Sequence, residues 1–103
     1  MKIEAQIQFM VDFTLPQELT QEFLTLIPHQ HRKITMLFGA KKLLSYGLSL
    51  ENRKMWAVLK APTTQEVTEI ARSLPLSPFM EIKISKLTFY DMVGQSKPKL
   101  PLG

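Results

Sequence analysis

The hydrophobic pattern of this chain changes its period in a fixed order. Residues 3–13 alternate apolar and polar side chains, which predicts a strand with one buried face. Apolar side chains then recur every three or four residues up to Gly39, which predicts a helix. Strand-like runs follow at 43–50 and 55–61, and a second helical run and a last strand complete the series. The order βαββαβ predicts an α+β, ferredoxin-like fold, in which one antiparallel sheet carries both helices on one face.

Prolines and capping motifs predict where the helices begin and end. The segments 14–17 (TLPQ) and 63–66 (TTQE) both have the form of a capping box, so each predicts a helix start. Pro28 lies inside the first helical pattern and predicts a bend there or a division into two helices. Pro75 and Pro78 in the segment LPLSP predict the end of the second helix and a stiff corner before the last strand.

The alternation also predicts which side chains face the helices and which face a cavity. In the first strand, the polar side projects from the sheet face that no helix covers, which suits a cavity wall or a wet interface. In the third strand, Trp56 is expected beneath the helices. The cavity-facing residues predicted in this way are Gln6, Gln8, Met10, Met55 and Leu59. In the last strand the pattern slips near residues 85–86, which predicts a bulge or a change of buried face.

Length and composition indicate one globular domain. The chain has 103 residues, of which 45% are hydrophobic and 21% charged, a balance typical of a single folded core. We expect a domain over residues 1–90 and a C-terminal tail over 91–103 that is flexible or packed on a neighbouring subunit. A chain this short buries only about 60 to 65% of its unfolded surface, so burial against a second copy is a plausible source of stability.

The absence of cysteine excludes disulfides, thiolate nucleophiles and cysteine metal sites. It also fits a cytoplasmic protein. The N-terminal residues MKIEAQIQFM contain no continuous apolar segment, so neither a signal peptide nor a membrane span is expected.

A net charge of +4 raises the question of nucleic-acid binding. The basic residues occur as short pairs separated by glutamates, and no glycine-aromatic module of an RNA-binding sheet is present. We therefore expect a mildly basic, solvated surface and no nucleic-acid partner.

Few residues are candidates for catalysis. Asp12 and Glu81 lie at predicted strand ends, where a partly buried carboxylate can act as a general base, although solvated acids are common there. His29 and His31 lie two apart on a helix, so they point about 200° apart and cannot readily share a metal ion. Tyr46 could donate a hydrogen bond to a ligand carbonyl or serve only in packing. The catalytic candidates are Asp12, His31, Tyr46 and Glu81, and no metal site is expected.

Residues 61–87 resemble the C-terminal half of the muconolactone isomerase family. The family's second helix ends in a Leu-Pro-Leu-x-Pro-aromatic-Met-acidic-Ile run, which is present here as LPLSPFMEI at 74–82. A fainter resemblance extends over most of residues 5–90. The resemblance to this family implies a dimeric α+β barrel, further assembly of dimers, and a cofactor-independent shift of a double bond in a small lactone by proton transfer. Phe79, the aromatic residue of the run, is a further predicted pocket residue.

The chain departs from the family at the positions expected to carry the chemistry. The family's first strand presents a histidine and a lysine where this chain has Gln8 and Met10. Its second strand carries a tryptophan, arginine and histidine cluster, whereas residues 43–50 (LLSYGLSL) contain no ionisable side chain except Tyr46. Two hypotheses follow: an isomerase of a small hydrophobic lactone or acid, or a non-catalytic barrel that binds an apolar small molecule or serves in self-assembly.

Overall fold

The structure, a computed structural model, describes residues 6–91 and has the predicted α+β, ferredoxin-like architecture. Its elements in chain order are β1 (Ile7–Thr14), α1 (Gln21–Gly39), β2 (Leu43–Ser49), β3 (Lys54–Ala61), α2 (Thr64–Arg72), a 3₁₀ turn (Ser77–Phe79) and β4 (Glu81–Lys86). The sheet order is β2-β3-β1-β4, and every neighbouring pair is antiparallel. Residues 1–5, which include the first three residues of the predicted first strand, and residues 92–103 of the predicted tail lie outside the described residues.

The hydrophobic core fills the space between the helices and one face of the sheet. Phe9, Val11 and Phe13 of β1 are almost fully buried on this face. The antiparallel register places Leu59 opposite Phe9 and Met55 opposite Phe13, so alternate residues of β3 join the same core.

The predicted faces of β3 are therefore reversed. Trp56 pairs with Asp12 and projects from the face away from the helices, whereas Met55 and Leu59 lie beneath the helices. The apolar run at 55–59 offers no polar residue to mark its outer face, so alternation alone could not assign the two sides.

The N-cap of the first helix lies six residues after the predicted cap, Thr14. Thr14 is still part of β1, where it pairs with Lys54 and Glu81, so it cannot cap a helix. The N-cap is Thr20, whose hydroxyl accepts a hydrogen bond from the Phe23 N–H over 3.2 Å. In α2 the predicted cap is confirmed, because the Thr63 hydroxyl accepts from the Glu66 N–H over 3.1 Å.

Helix α1 runs unbroken from Gln21 to Gly39, so the division, one of the two alternatives predicted at Pro28, is wrong. Pro28 is exposed, and the helix carbonyl that loses its N–H partner there can be hydrated. Within residues 6–91, no helix combines the length and apolar character that a membrane span requires.

The irregularity of the sheet lies in β2 and not in β4. The β1–β4 register runs without a break from Thr14–Glu81 to Phe9–Lys86, so the bulge, one of the two alternatives predicted near residues 85–86, is absent. In β2 the register shifts between Leu43 and Ser45. This bulge lets Leu43 and Tyr46 both face the helices, although they are three residues apart.

The LPLSP segment forms the predicted corner. Helix α2 ends at Arg72, before Pro75, and the 3₁₀ turn at Ser77–Phe79 leads directly into β4. Leu74 and Leu76 are buried on either side of Pro75, so the corner is held by the core.

Candidate functional site: an apolar cavity beside α1 and β2

A cavity of about 330 Å³ lies on the helix side of the sheet, next to α1 and β2. One wall is α1, the opposite wall is the β2–β3 hairpin, and Leu76 and Met80 from the corner before β4 complete it. The lining residues are Leu15, Leu19, Phe23, Leu24, Ile27, Gln30, His31, Ile34, Tyr46, Leu48, Leu50, Met55, Leu76 and Met80. The lining is overwhelmingly apolar, which is the character of small-molecule sites in general.

The mouth of the cavity is formed by apolar side chains that remain exposed. Leu24 and Ile27 of α1 are 43% and 44% exposed, and Leu48 and Leu50 of the hairpin are 53% and 62% exposed. Covering large apolar side chains lowers the free energy, so a cluster of them around one opening indicates a surface that binds a ligand or a partner.

Three polar or polarisable side chains meet at the inner wall. Gln30, only 3% exposed, accepts a hydrogen bond through Oε1 from the Leu76 N–H over 3.0 Å. Its Nε2 donates weakly to Tyr46 Oη over 3.5 Å and lies 4.0 Å from Met55 Sδ. The Tyr46 hydroxyl donates to the same sulfur over 2.9 Å. These groups hold hydrogen-bond donors at the inner wall of the apolar cavity.

The ionisable side chains that line the cavity are His31, which is exposed, and Tyr46, which is half-buried. Among residues 6–91, no aspartate, glutamate, lysine or arginine belongs to the lining. This part of the chain therefore forms a cavity that can hold an uncharged apolar body and offer hydrogen bonds at its inner wall.

The structure separates the predicted site residues into two groups. Tyr46, His31 and Met55 line the cavity together. Asp12 and Glu81 lie near Thr14, Lys54 and Lys83 around a polar depression, outside this cavity. Asp12 pairs with Trp56 and Lys83, so it belongs to the face away from the helices.

The remaining predicted pocket residues are spread over the fold. Gln8 and Met10 face away from the helices, opposite Lys60 and Val58. Gln6 lies in a polar cleft with Lys41, Lys42, Lys60 and Glu66. Leu59 is buried in the core, and Phe79 packs edge-on against Phe23 with ring centroids 5.7 Å apart. His29, the partner considered for His31, is exposed and contacts Arg32 through Nδ1 over 2.8 Å.

The sequence interpretation missed Gln30. A signal was present, because Gln30 falls in the buried row of α1 that also contains Phe23, Ile34 and Leu37. A polar residue at helical spacing among buried apolar ones needs a hydrogen-bond partner, and such a residue is a marker of a polar point in a core.

The sheet face away from the helices is partly covered by the segment that follows β4. The Leu87 N–H donates to the Gln8 carbonyl over 2.9 Å, and the Tyr90 hydroxyl donates to Ser45 Oγ over 3.1 Å. β4 and β2 are the two edges of the sheet, so residues 87–90 reach across this face. Val58, which projects from the same face, is only 3% exposed.

Among residues 6–91, no three histidine, aspartate or glutamate side chains are close enough together to hold a metal ion.

Comparison with models of protein families gives no match, and comparison with curated proteins gives none either. Among solved structures, the chain is similar to muconolactone isomerase, known from a crystal structure at 3.3 Å resolution. The TM-score is 0.63, the match covers 88% of this chain and 98% of that chain, and the sequence identity is 17%. At this identity the likeness shows a shared fold. The resemblance seen at residues 61–87 is therefore confirmed for the fold alone.

Proposed function

We propose that this protein binds a small, mostly apolar molecule in the cavity beside α1 and β2. The observation that carries the proposal is the combination of an apolar interior of about 330 Å³ with exposed leucine and isoleucine side chains at its mouth. This volume lies within the range of about 300 to 1,000 Å³ that is typical of small-molecule sites.

The test of binding uses N-phenyl-1-naphthylamine, an uncharged apolar dye whose fluorescence rises on leaving water. We expect saturable binding to the purified protein. Met80→Trp should weaken binding at least about tenfold, because a larger side chain fills the cavity that Met80 lines. Met36→Trp is the control, since Met36 is 64% exposed and does not line the cavity.

Two results would count against the proposal. One is the absence of saturable dye binding to the unmodified protein. The other is equal loss of binding in both variants, because that would place the dye outside the cavity.

A second candidate function is isomerisation by proton transfer. His31 and Tyr46 line the same cavity, so a group that exchanges protons and a hydroxyl donor face one bound molecule. In such a reaction, His31 would take a proton from a carbon next to a carbonyl and return it to another carbon, which shifts a double bond with no net change in atoms. Tyr46 would stabilise the negative charge that develops on the carbonyl oxygen. The fold likeness to muconolactone isomerase adds support.

Isomerase activity is tested with muconolactone, which carries a carboxylate, and with its uncharged methyl ester, by following ultraviolet absorbance. Turnover that falls strongly in His31→Gln and Tyr46→Phe would support catalysis in the cavity. Turnover that falls only in Asp12→Asn or Glu81→Gln would instead assign the chemistry to the other sheet face. No turnover in the unmodified protein would leave binding as the function and remove this second candidate for these two substrates.

We also propose that two copies associate through the sheet face away from the helices. Met10 and Trp56 lie partly exposed on this face, next to Val58, which is already buried within one copy. Phe89, in the segment that reaches across the same face, is 85% exposed. A second copy of this face would cover the exposed parts of Met10, Trp56 and Phe89 and give the dimeric barrel that the sequence resemblance implies.

A further inference from the structure

We infer that the cavity selects an uncharged ligand with a carbonyl group, and that Tyr46 and Gln30 recognise the carbonyl oxygen. This inference rests on the proposed binding function and adds the chemical class of the ligand. It follows from which atoms the inner wall presents, how firmly they are held, and which charges are missing around them.

Gln30 presents a donor to the cavity because its acceptor is already engaged. The Leu76 N–H can only donate, so the amide atom that meets it over 3.0 Å is Oε1. The other end of the amide, the Nε2 group with two N–H donors, is thereby turned towards Tyr46 and Met55. Since Gln30 is 3% exposed, water does not compete freely for these donors.

The partners that these donors have in the structure are weak ones. Tyr46 Oη accepts from Nε2 at 3.5 Å, the long limit of a hydrogen bond, and Met55 Sδ is 4.0 Å away. The Tyr46 hydroxyl donates to that same thioether sulfur, which is a poor acceptor. A carbonyl oxygen at this point would receive stronger hydrogen bonds from both groups at the cost of contacts to sulfur.

A carboxylate is a less suitable occupant. It would have to leave water for an apolar cavity to whose lining the described part of the chain contributes no lysine or arginine, and His31 lies on the exposed edge rather than at the inner wall. Ketones, esters, uncharged lactones and quinones share the feature that is favoured here, one strong acceptor on an apolar body.

The experiment compares two probes of the same shape by isothermal titration calorimetry. The probes are 2-acetylnaphthalene, a ketone, and 2-isopropenylnaphthalene, in which a CH₂ group replaces the carbonyl oxygen. Tyr46→Phe should weaken ketone binding about fivefold, the usual net value of one hydrogen bond, and leave binding of the alkene unchanged. The change in affinity caused by the substitution is compared between the two probes, so differences in how water solvates the free probes cancel. 2-Naphthoate should bind more weakly than the ketone.

Met55→Leu provides a second, independent variant. It removes the sulfur acceptor with little change in volume, so the Tyr46 hydroxyl loses the acceptor of its hydrogen bond. Ketone binding should then become about twofold to fivefold tighter relative to the alkene. A damaged fold would weaken ketone binding, so tighter binding cannot be explained by general destabilisation.

The outcomes separate the two levels of the proposal. If both probes bind to the cavity and neither variant changes the ketone more than the alkene, the carbonyl inference is wrong and the binding function stands. The same holds if the naphthoate binds most tightly. If neither probe binds, the proposed function fails together with the inference.

Discussion

The side-chain oxygen of Gln30 accepts a hydrogen bond from the backbone N–H of Leu76, over 3.0 Å and a separation of 46 residues. Both residues are buried. The bond joins the middle of α1 to the corner that follows α2, which are the two sides that meet at the inner end of the cavity. Gln30 therefore supports the fold through one end of its amide and faces the cavity with the other.

Replacing Gln30 should destabilise the fold. Gln30→Leu leaves the Leu76 N–H without an acceptor in a buried position, which costs about 1 to 3 kcal/mol. Urea unfolding, followed by circular dichroism, measures the free energy. Gln65→Leu, an exposed change on α2, is the control and should stay within about 0.5 kcal/mol of the unmodified protein. Equal stability of the two variants would show that the Gln30–Leu76 bond contributes nothing.

The two observed N-caps should each contribute to stability, and the predicted cap at Thr14 should not act as one. Thr20→Ala and Thr63→Ala each remove a side-chain acceptor from a helix N-terminus, with an expected loss of about 1 kcal/mol. Hydrogen exchange at Phe23 and Leu24 should accelerate in Thr20→Ala. In Thr14→Ala these two amides should keep their protection, and faster exchange there would contradict the assigned start of α1.

Thr14 shows what the sequence could and could not predict. The periods of two and 3.6 residues predicted the number, type and order of the elements, because each element buries one face and that requirement is local. Thr14 has the right neighbours for a cap, but its pairing with Lys54 and Glu81 extends β1 instead. Pairing between strands depends on residues that are distant in the chain, so a short stretch of sequence does not predict it.

The candidate site shows the same division. Tyr46 and His31 were recognised as candidates from residue type alone, and the structure brings them to one cavity. The location of that cavity could not be predicted, because it depends on the bulge between Leu43 and Ser45 and on the side of the sheet that Met55 takes. Both are settled by register across strands and not by the residues within one strand.

The turn after α1 should be improved by glycine at position 41. Lys41 has φ of 62°, a left-handed conformation that side chains disfavour. The Lys41 N–H bonds the Phe38 carbonyl and the Lys42 N–H bonds the Leu37 carbonyl, the arrangement in which glycine is the usual residue at this position. Lys41→Gly should therefore raise the free energy of unfolding by about 0.5 to 1 kcal/mol, measured in urea.

Lys42→Gly is the matched control for this substitution. Lys42 lacks a positive φ, so glycine there gains no relief of strain and adds freedom to the unfolded chain. Its stability should fall slightly. A loss of stability in Lys41→Gly as well would mean that the lysine side chain contributes more at this turn than its backbone conformation costs.

The emission of Trp56 should report association through the sheet face away from the helices. Trp56 is the single tryptophan of the chain, and its indole ring lies beside Gly47 on this face. If two copies associate there, the ring moves from partial exposure to a drier contact as concentration rises. We expect the emission maximum to shift to shorter wavelength over the concentration range in which sedimentation velocity detects the dimer.

Ser85→Lys, which adds a charge opposite Met10 on this face, should move both transitions to higher concentration. Gln65→Lys adds the same charge on exposed α2 and should move neither. A dimer that forms without any change in Trp56 emission would assign the interface to another surface, since the face that carries Trp56 would then remain in water.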